Sequence, residues 1–212
     1  MTTIRRLPLG PIQTNCYIVR SGSRALIIDP SDEPTKIIQA LKQSNLKPVA
    51  ILLTHAHFDH IAALQAIVDT YSIPVYMHKA EQKWLKDPML NGSGKYAELP
   101  NVVVDVEITE VVEGSLQIDA FNFHVLETPG HSPGSLSYYF QEDGYVVSGD
   151  VLFKGSIGRT DLAGGNLQVL MQSITRKLVE LPEQTIVYSG HGVETTIEDE
   201  IESNQFLNGF NA

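Results

Sequence analysis

Apolar and polar positions alternate with a period of two through the N-terminal stretch, as half-buried strands require. Residues 4–9 read as one strand, and residues 16–20 and 24–28 as a hairpin about Ser21-Gly22-Ser23. Asp29-Pro30 closes that hairpin with a carboxylate at a strand tip. Residues 34–44 change to helical spacing, with Ile37, Ile38 and Leu41 facing a core. The unbroken apolar run 49–53 predicts a buried strand, and Ile61, Leu64, Ile67, Val68 and Tyr71 then recur as on one helix face. A short strand over 75–77 and a helix over 79–86 follow. Residues 87–100, containing Asn91-Gly92-Ser93-Gly94, read as a mobile surface excursion.

From Val102 short strands dominate: 102–104, 116–118, 121–127, 135–140 and 145–148, with turns at Gly114, Asp119-Ala120 and Glu142-Asp143-Gly144. Residues 167–181 form an amphipathic helix carrying Leu170, Ile174 and Leu178, ended by Pro182. One further strand, 185–188, precedes an acidic helical tail over 195–206. No linker, repeat or low-complexity segment interrupts the pattern. The chain therefore predicts one α/β domain over 1–212, with two sheets face to face and helices outside.

Composition narrows the function. The 212 residues are 42% hydrophobic and 19% charged, which is globular. A net charge of −10 without a Lys/Arg run argues against nucleic acid or a membrane surface as partner. No apolar run reaches the ~20 residues of a membrane span, and none has the order of a signal peptide, so a cytoplasmic location is expected. The single Cys16 allows no internal disulfide and, within Asn15-Cys16-Tyr17-Ile18-Val19, reads as a small core residue. Oligomeric state leaves no mark on the sequence.

The chemistry concentrates in Thr54-His55-Ala56-His57-Phe58-Asp59-His60, between the predicted strand 49–53 and the helix after it. Four of these seven side chains can ligate a metal. In an extended loop His55 and His57 project the same way, while Asp59 and His60, at the turn into the helix, can face a second point nearby. One loop could serve two ions. The alternative is that Asp59 only caps the helix. His131 in Thr128-Pro129-Gly130-His131-Ser132-Pro133-Gly134, His191 in Ser189-Gly190-His191-Gly192, and Asp150 after Ser148-Gly149 also follow predicted strands. His78, at a helix start, and His124, within a strand, lack that setting and read as structural.

Through Asp29, the heptapeptide, His131, Asp150 and His191, in that order, the sequence resembles the metallo-β-lactamase superfamily over nearly its whole length. That resemblance implies a four-layer αβ/βα sandwich. It also implies one ion on His55, His57 and His131, a second on Asp59, His60 and His191, and Asp150 bridging both. Asp29 and Thr54 would orient the ligand loop from behind. The complete His-x-His-x-Asp-His form, with Thr128 to Ser135 and Gly158-Arg159-Thr160-Asp161-Leu162, looks most like the short, single-domain glyoxalase II-like hydrolases. Glyoxalase II proper carries a C-terminal helical domain that grips glutathione; this sequence ends soon after His191, which leaves the thiol carrier open.

The activity implied is hydrolysis of a small-molecule thioester, of glutathione or another small thiol, by water activated on two divalent ions. Zinc is expected, although His and Asp accept iron and manganese too. Asp59 and Asp150 would orient that water. Arg159 is the candidate grip for a substrate carboxylate, with Lys154 second; the alternative partner of Arg159 is Asp161. Tyr138 and Tyr139 read as strand residues. Two rival expectations remain: a mononuclear Fe(II) persulfide dioxygenase using His57, His131 and Asp150 as a facial triad, and an inactive metal-binding scaffold.

Overall fold

Two six-stranded mixed sheets carry the chain in the computed structural model, which describes residues 1–98 and 100–208. Side by side in chain order, the first holds β1 (Thr3–Leu9), β2 (Thr14–Ser21), β3 (Arg24–Ile28), β4 (Lys47–Leu52), β5 (Val75–Met77) and β6 (Ile108–Glu110). The later strands are β7 (Gly114–Ile118), β8 (Phe121–Glu127), β9 (Leu136–Phe140), β10 (Tyr145–Gly149), β11 (Leu152–Phe153), β12 (Ser156–Ile157), β13 (Ile186–Ser189) and β14 (Thr195–Thr196). The second sheet runs β14-β13-β10-β9-β8-β7, and β11 and β12 form a separate ribbon. Pairing is parallel across β3–β4–β5–β6 and β10–β13, and antiparallel elsewhere.

Strand alternation produces the layers. In β2 and β3, Ile18 and Ile27 face one side, where they pack with Ile37, Leu41, Leu64 and Ile67 of the helices Pro34–Gln43 and Leu64–Tyr71. Val19 and Leu26 face the other, against Phe121, Val125, Tyr138 and Phe140 of the second sheet. Behind that sheet, Val146 and Val187 meet Leu170, Ile174, Leu178 and Ile197. Helix, sheet, sheet and helix thus enclose three apolar interfaces, the αβ/βα order that the resemblance implies.

Some elements differ from expectation for identifiable reasons. Residues 102–104 are not a strand, although Val102 and Val104 pack on the first core. Ser93 Oγ accepts from Val102 N, Asn91 Nδ2 donates to Val102 O, and Val104 N donates to Leu85 O, so this backbone has no ladder to join. The same contacts fix much of the segment expected to be mobile; Asn91 and Ser93 are buried, while Leu99 lies outside the described residues. Lys79–Lys86 is a 3₁₀ helix, and Leu167–Ser173 passes into a wider π turn, Ile174–Leu178, that still buries Leu170, Ile174 and Leu178. The tail begins with β14 before the helix Ile197–Ser203.

Strands β3, β4, β8, β10 and β13 all run toward one edge, so the segments carrying Asp29, His55 to His60, His131, Asp150 and His191 emerge there. Strand-end loops at one edge are where α/β folds place ligands. Cross-sheet bonds sew that edge together: Leu136 N donates to Thr54 O at 2.8 Å, Asn15 N to Gly190 O at 2.7 Å, and Tyr17 Oη to Ser189 O at 2.6 Å.

Candidate metal centre

After β4 the backbone turns at His57, the residue that precedes the short helix Phe58–Ile61. Asp59 lies inside that helix's first turn, so the capping alternative does not hold. Ala62 N and Ala63 N donate to Ser31 O and Pro30 O, which breaks the expected long helix and sets the loop against the end of β3. Asp29 has a left-handed backbone, φ 50°. Its carboxylate accepts from Thr54 N (2.7 Å), Thr54 Oγ1 (2.6 Å) and His60 Nδ1 (2.9 Å).

Those bonds dictate which ring nitrogens carry protons. His60 Nδ1 faces a carboxylate and therefore donates, so Nε2 is the nitrogen left to meet a ligand. Thr54 Oγ1 spends its proton on Asp29, so at 3.0 Å it accepts from His55 Nδ1, and His55 Nε2 is bare. His131 Nδ1 donates to Arg159 O at 2.8 Å, turning its bare Nε2 toward His57 Nδ1, 2.9 Å away. His55 Nε2, His57 Nε2, His60 Nε2 and Asp150 Oδ1 are all buried without a hydrogen-bond partner. Buried polar atoms are nearly always paired. Buried ring nitrogens without partners, beside ionised carboxylates in one donor cluster, are what a cation would satisfy, so the residues fit a metal.

Three sets of donors lie within 4.8 Å of one another: His55, His57 and His131; His55, His60 and Asp150; and Asp59, His60 and His191. Asp150 stands among them, with Oδ1 3.4 Å from His60 Nε2 and Oδ2 3.6 Å from both His131 Nε2 and His191 Nε2. Asp59 Oδ2 is 3.2 Å from His191 Nε2 and 3.5 Å from His60 Nε2. Gly190 is needed for this closeness, because a Cβ there would overlap Asp150 Oδ1 and crowd the His60 ring.

Burial pushes the His55 imidazole well below its ordinary range, helped by His60 and His57. Burial, then His131, takes His57 down to about 3. Burial works against charge on the carboxylates too, but His60 and His191 outweigh it and hold Asp59 at about 2. Asp150 is likewise held well below the carboxylate range against burial, chiefly by His60. His60 itself rises well above its ordinary value, because Asp59, Asp150 and Asp29 overcome its desolvation. The donors are thus ionised carboxylates beside neutral His55 and His57, and the same carboxylates that favour a positive charge on His60 would favour a cation at its Nε2 in place of a proton.

Beyond the donors, Arg159 forks onto Asp161, Nε to Oδ1 and Nη2 to Oδ2, both at 2.7 Å. A cleft of about 340 Å³ with Ile12, Phe58, Lys95, Tyr96 and Leu162 in its walls opens on the donors. A second, of about 640 Å³, has Phe153, Lys154, Ile157 and Val193. The two share Asp150, Arg159 and His191. A further cavity, about 730 Å³, lies against the outer helix Leu167–Ser173 and has no titratable side chain among its described lining residues. His78 caps the 3₁₀ helix and His124 sits beside Ser115 Oγ, both away from the donors. Cys16, Tyr138 and Tyr139 are buried strand residues.

Two supporting residues escaped sequence reasoning. Glu81 is fully buried and accepts from Ala56 N at 2.6 Å and Gly134 N at 2.7 Å, tying the heptapeptide to the His131 loop. Its signal was a charge one helical turn from Trp84 and Leu85, on the apolar side. Thr14 Oγ1 donates to Asp59 Oδ2 at 2.8 Å, and nothing in its sequence context marks it.

With this fold and site, the chain belongs to the metallo-beta-lactamase superfamily, whose family description matches residues 9–191 and whose enzymes are metal-dependent hydrolases. It is 51% identical to "Probable metallo-hydrolase YqgX" of Bacillus subtilis, over 97% of this chain and 98% of that one. It is 35% identical to "Hydroxyacylglutathione hydrolase GloC" of Haemophilus influenzae, over the same shares. Among solved structures it resembles BLEG-1 B3 metallo-beta-lactamase, with TM-score 0.94, 50% identity, 98% of this chain and all of that one. TTHA1623 in a di-iron-bound form gives TM-score 0.87 and 39% identity over 96% of this chain and all of that one.

Proposed function

We propose that this chain is a binuclear metal-dependent thioester hydrolase acting on a small acyl thiol. The observation carrying the reading is the approach of His60, His131 and His191 Nε2 to the two oxygens of Asp150, with His55 Nε2, His60 Nε2 and Asp150 Oδ1 buried and without a hydrogen-bond partner. His55, His57 and His131 would hold one ion, Asp59, His60 and His191 the other, and Asp150 both. Zinc, iron and manganese all suit these donors. Bound there, such ions supply Lewis acidity and a water that ionises near neutral pH. Asp59 and Asp150, both ionised, accept hydrogen bonds from the attacking water and aim it. Asp29 and Thr54 fix the tautomers of His60 and His55. The unpaired Cys16 suits the reducing cytoplasm as the working compartment.

The leaving group favours a thioester. A thiolate departs without a proton, whereas an amine leaving group needs one. Among the described residues, the walls of the smaller cleft offer Lys95, Tyr96 and Arg159 and no carboxylic acid besides the two donor aspartates. The hydroxyacylglutathione hydrolase relative supports the same substrate class. The likeness to a B3 lactamase makes β-lactam cleavage the second reading. The test is a panel on metal-quantified protein: S-D-lactoylglutathione, acyl thiols of other carriers, glutathione persulfide with oxygen uptake, and a chromogenic cephalosporin. We expect about two ions per chain and turnover of thioesters at least tenfold above the rest. Oxygen uptake with one iron per chain, or preference for the cephalosporin, would sink the thioester reading.

A further inference from the structure

Arg159 lines both clefts, as Asp150 and His191 do, yet its guanidinium is turned onto Asp161. The backbone here is fixed, since Arg159 O accepts from buried His131 Nδ1. Only the arm is free to swing. Both partners of the ion pair are open to solvent, with side chains 55% and 67% exposed. A two-point fork onto a carboxylate is what a guanidinium would offer an incoming carboxylate too. Asp161 itself lines neither cleft. Lys95 and Lys154, one in each cleft, form no ion pair with a described residue, so the mouth gathers three cations on a chain of net charge −10.

We propose that Asp161 is an internal stand-in for a substrate carboxylate. It holds the Arg159 guanidinium at the cleft mouth and yields it when a carboxylate-bearing ligand enters. Asp161 is thereby a specificity-determining residue. A neutral ligand has nothing to exchange for the ion pair and leaves Arg159 where it is. A carboxylate trades one fork for another of the same geometry. An exposed pair is weak enough for this exchange, and its cost appears as reduced apparent affinity, because only the fraction with Arg159 released is competent.

The inference rests on the thioester reading only for the choice of probe. Metal-loaded wild type, Asp161→Asn, Arg159→Gln and the double variant would be titrated calorimetrically with S-hexylglutathione, a thioether with no scissile bond. The same titrations would be run with its diamide, which lacks both carboxylates. Asp161→Asn should bind the carboxylate form about three- to fivefold more tightly than wild type and the diamide unchanged, and the gain should vanish in the double variant. Equal or weaker binding by Asp161→Asn overturns the proposal, as does tightening that survives loss of Arg159 or extends to the diamide. Failure of every protein to bind the carboxylate form overturns it too. If wild type binds the probe in this pattern but hydrolyses no thioester, the thioester reading falls and the exchange stands.

Discussion

Asp150 is the residue whose two oxygens face both halves of the donor set, Oδ1 toward His60 and Oδ2 toward His131 and His191. Each histidine belongs to one side or shares a point, but removing Asp150 separates the whole cluster. Asp150→Ala is therefore expected to lose more turnover than any single His→Ala change, by at least about a hundredfold where a supporting residue costs ten- to a hundredfold. Elemental analysis and kcat on the same preparation check this. Retention of two ions and near-normal kcat in Asp150→Ala, with both lost in His131→Ala, would refute it. Donor residues of this kind were legible because few residue types ligate metals, and their spacing survives in the primary structure. Glu81 and Thr14 were not, because a hydrogen-bonded glutamate or threonine looks like any surface polar residue until the chain has folded.

At the level of elements, Glu81 joins two loops that have no other hydrogen bond to the 3₁₀ helix among the described residues. Burial is the largest influence on its carboxyl and raises it above the ordinary range, against the bonds from Ser132, Ala56 and Gly134. A raised folded-state value means that Glu81 contributes stability fully present below the unfolded value of 4.5 and lost as pH rises through the folded one. Glu81→Gln removes that dependence and sets an amide N–H₂ against a backbone N–H, a mismatch costing about 1–3 kcal/mol. Urea unfolding of chelator-treated protein from pH 4.5 to 8 should show the variant less stable throughout, with a larger deficit at the acid end. A deficit that grows toward pH 8 would show that burial does not control this carboxyl. The same helix explains part of what the sequence hid. The alternation at Val102 and Val104 reports burial on one face, and the expected strand followed from it, but side chains and the 3₁₀ helix take its hydrogen bonds. Strands β11, β12 and β14 have two residues each, too short for any period to register.

Across the whole molecule, the donors come from both sheets: His55 to His60 follow β4 of the first, while His131, Asp150 and His191 follow strands of the second. Away from the site the sheets are held by apolar packing, with Tyr17, Leu26, Ile28, Phe121, Tyr138 and Phe140 almost fully buried. At the site edge the join is polar, through a few hydrogen bonds and the inward histidines. Without ions, that edge sets two ionised carboxylates and unpaired nitrogens against one another, a cost that burial magnifies. Removing metal should therefore loosen one edge of the sandwich and spare its middle. For an ion present at a thousandfold its dissociation constant, binding stabilises the folded chain by about 4 kcal/mol. At roughly 2–4 °C per kcal/mol for a chain of this size, chelation should lower Tm by about 8–16 °C. Amide exchange should locate the change. The amides of Asn15, Thr54, Leu136 and Gly190, whose hydrogen bonds join strands or loops at that edge, should lose protection severalfold, while those of Val19, Leu26 and Val125 should change little. A chelated protein melting within about 2 °C of the loaded one, or losing protection uniformly, would mean that the apolar interface alone sets how the two sheets meet.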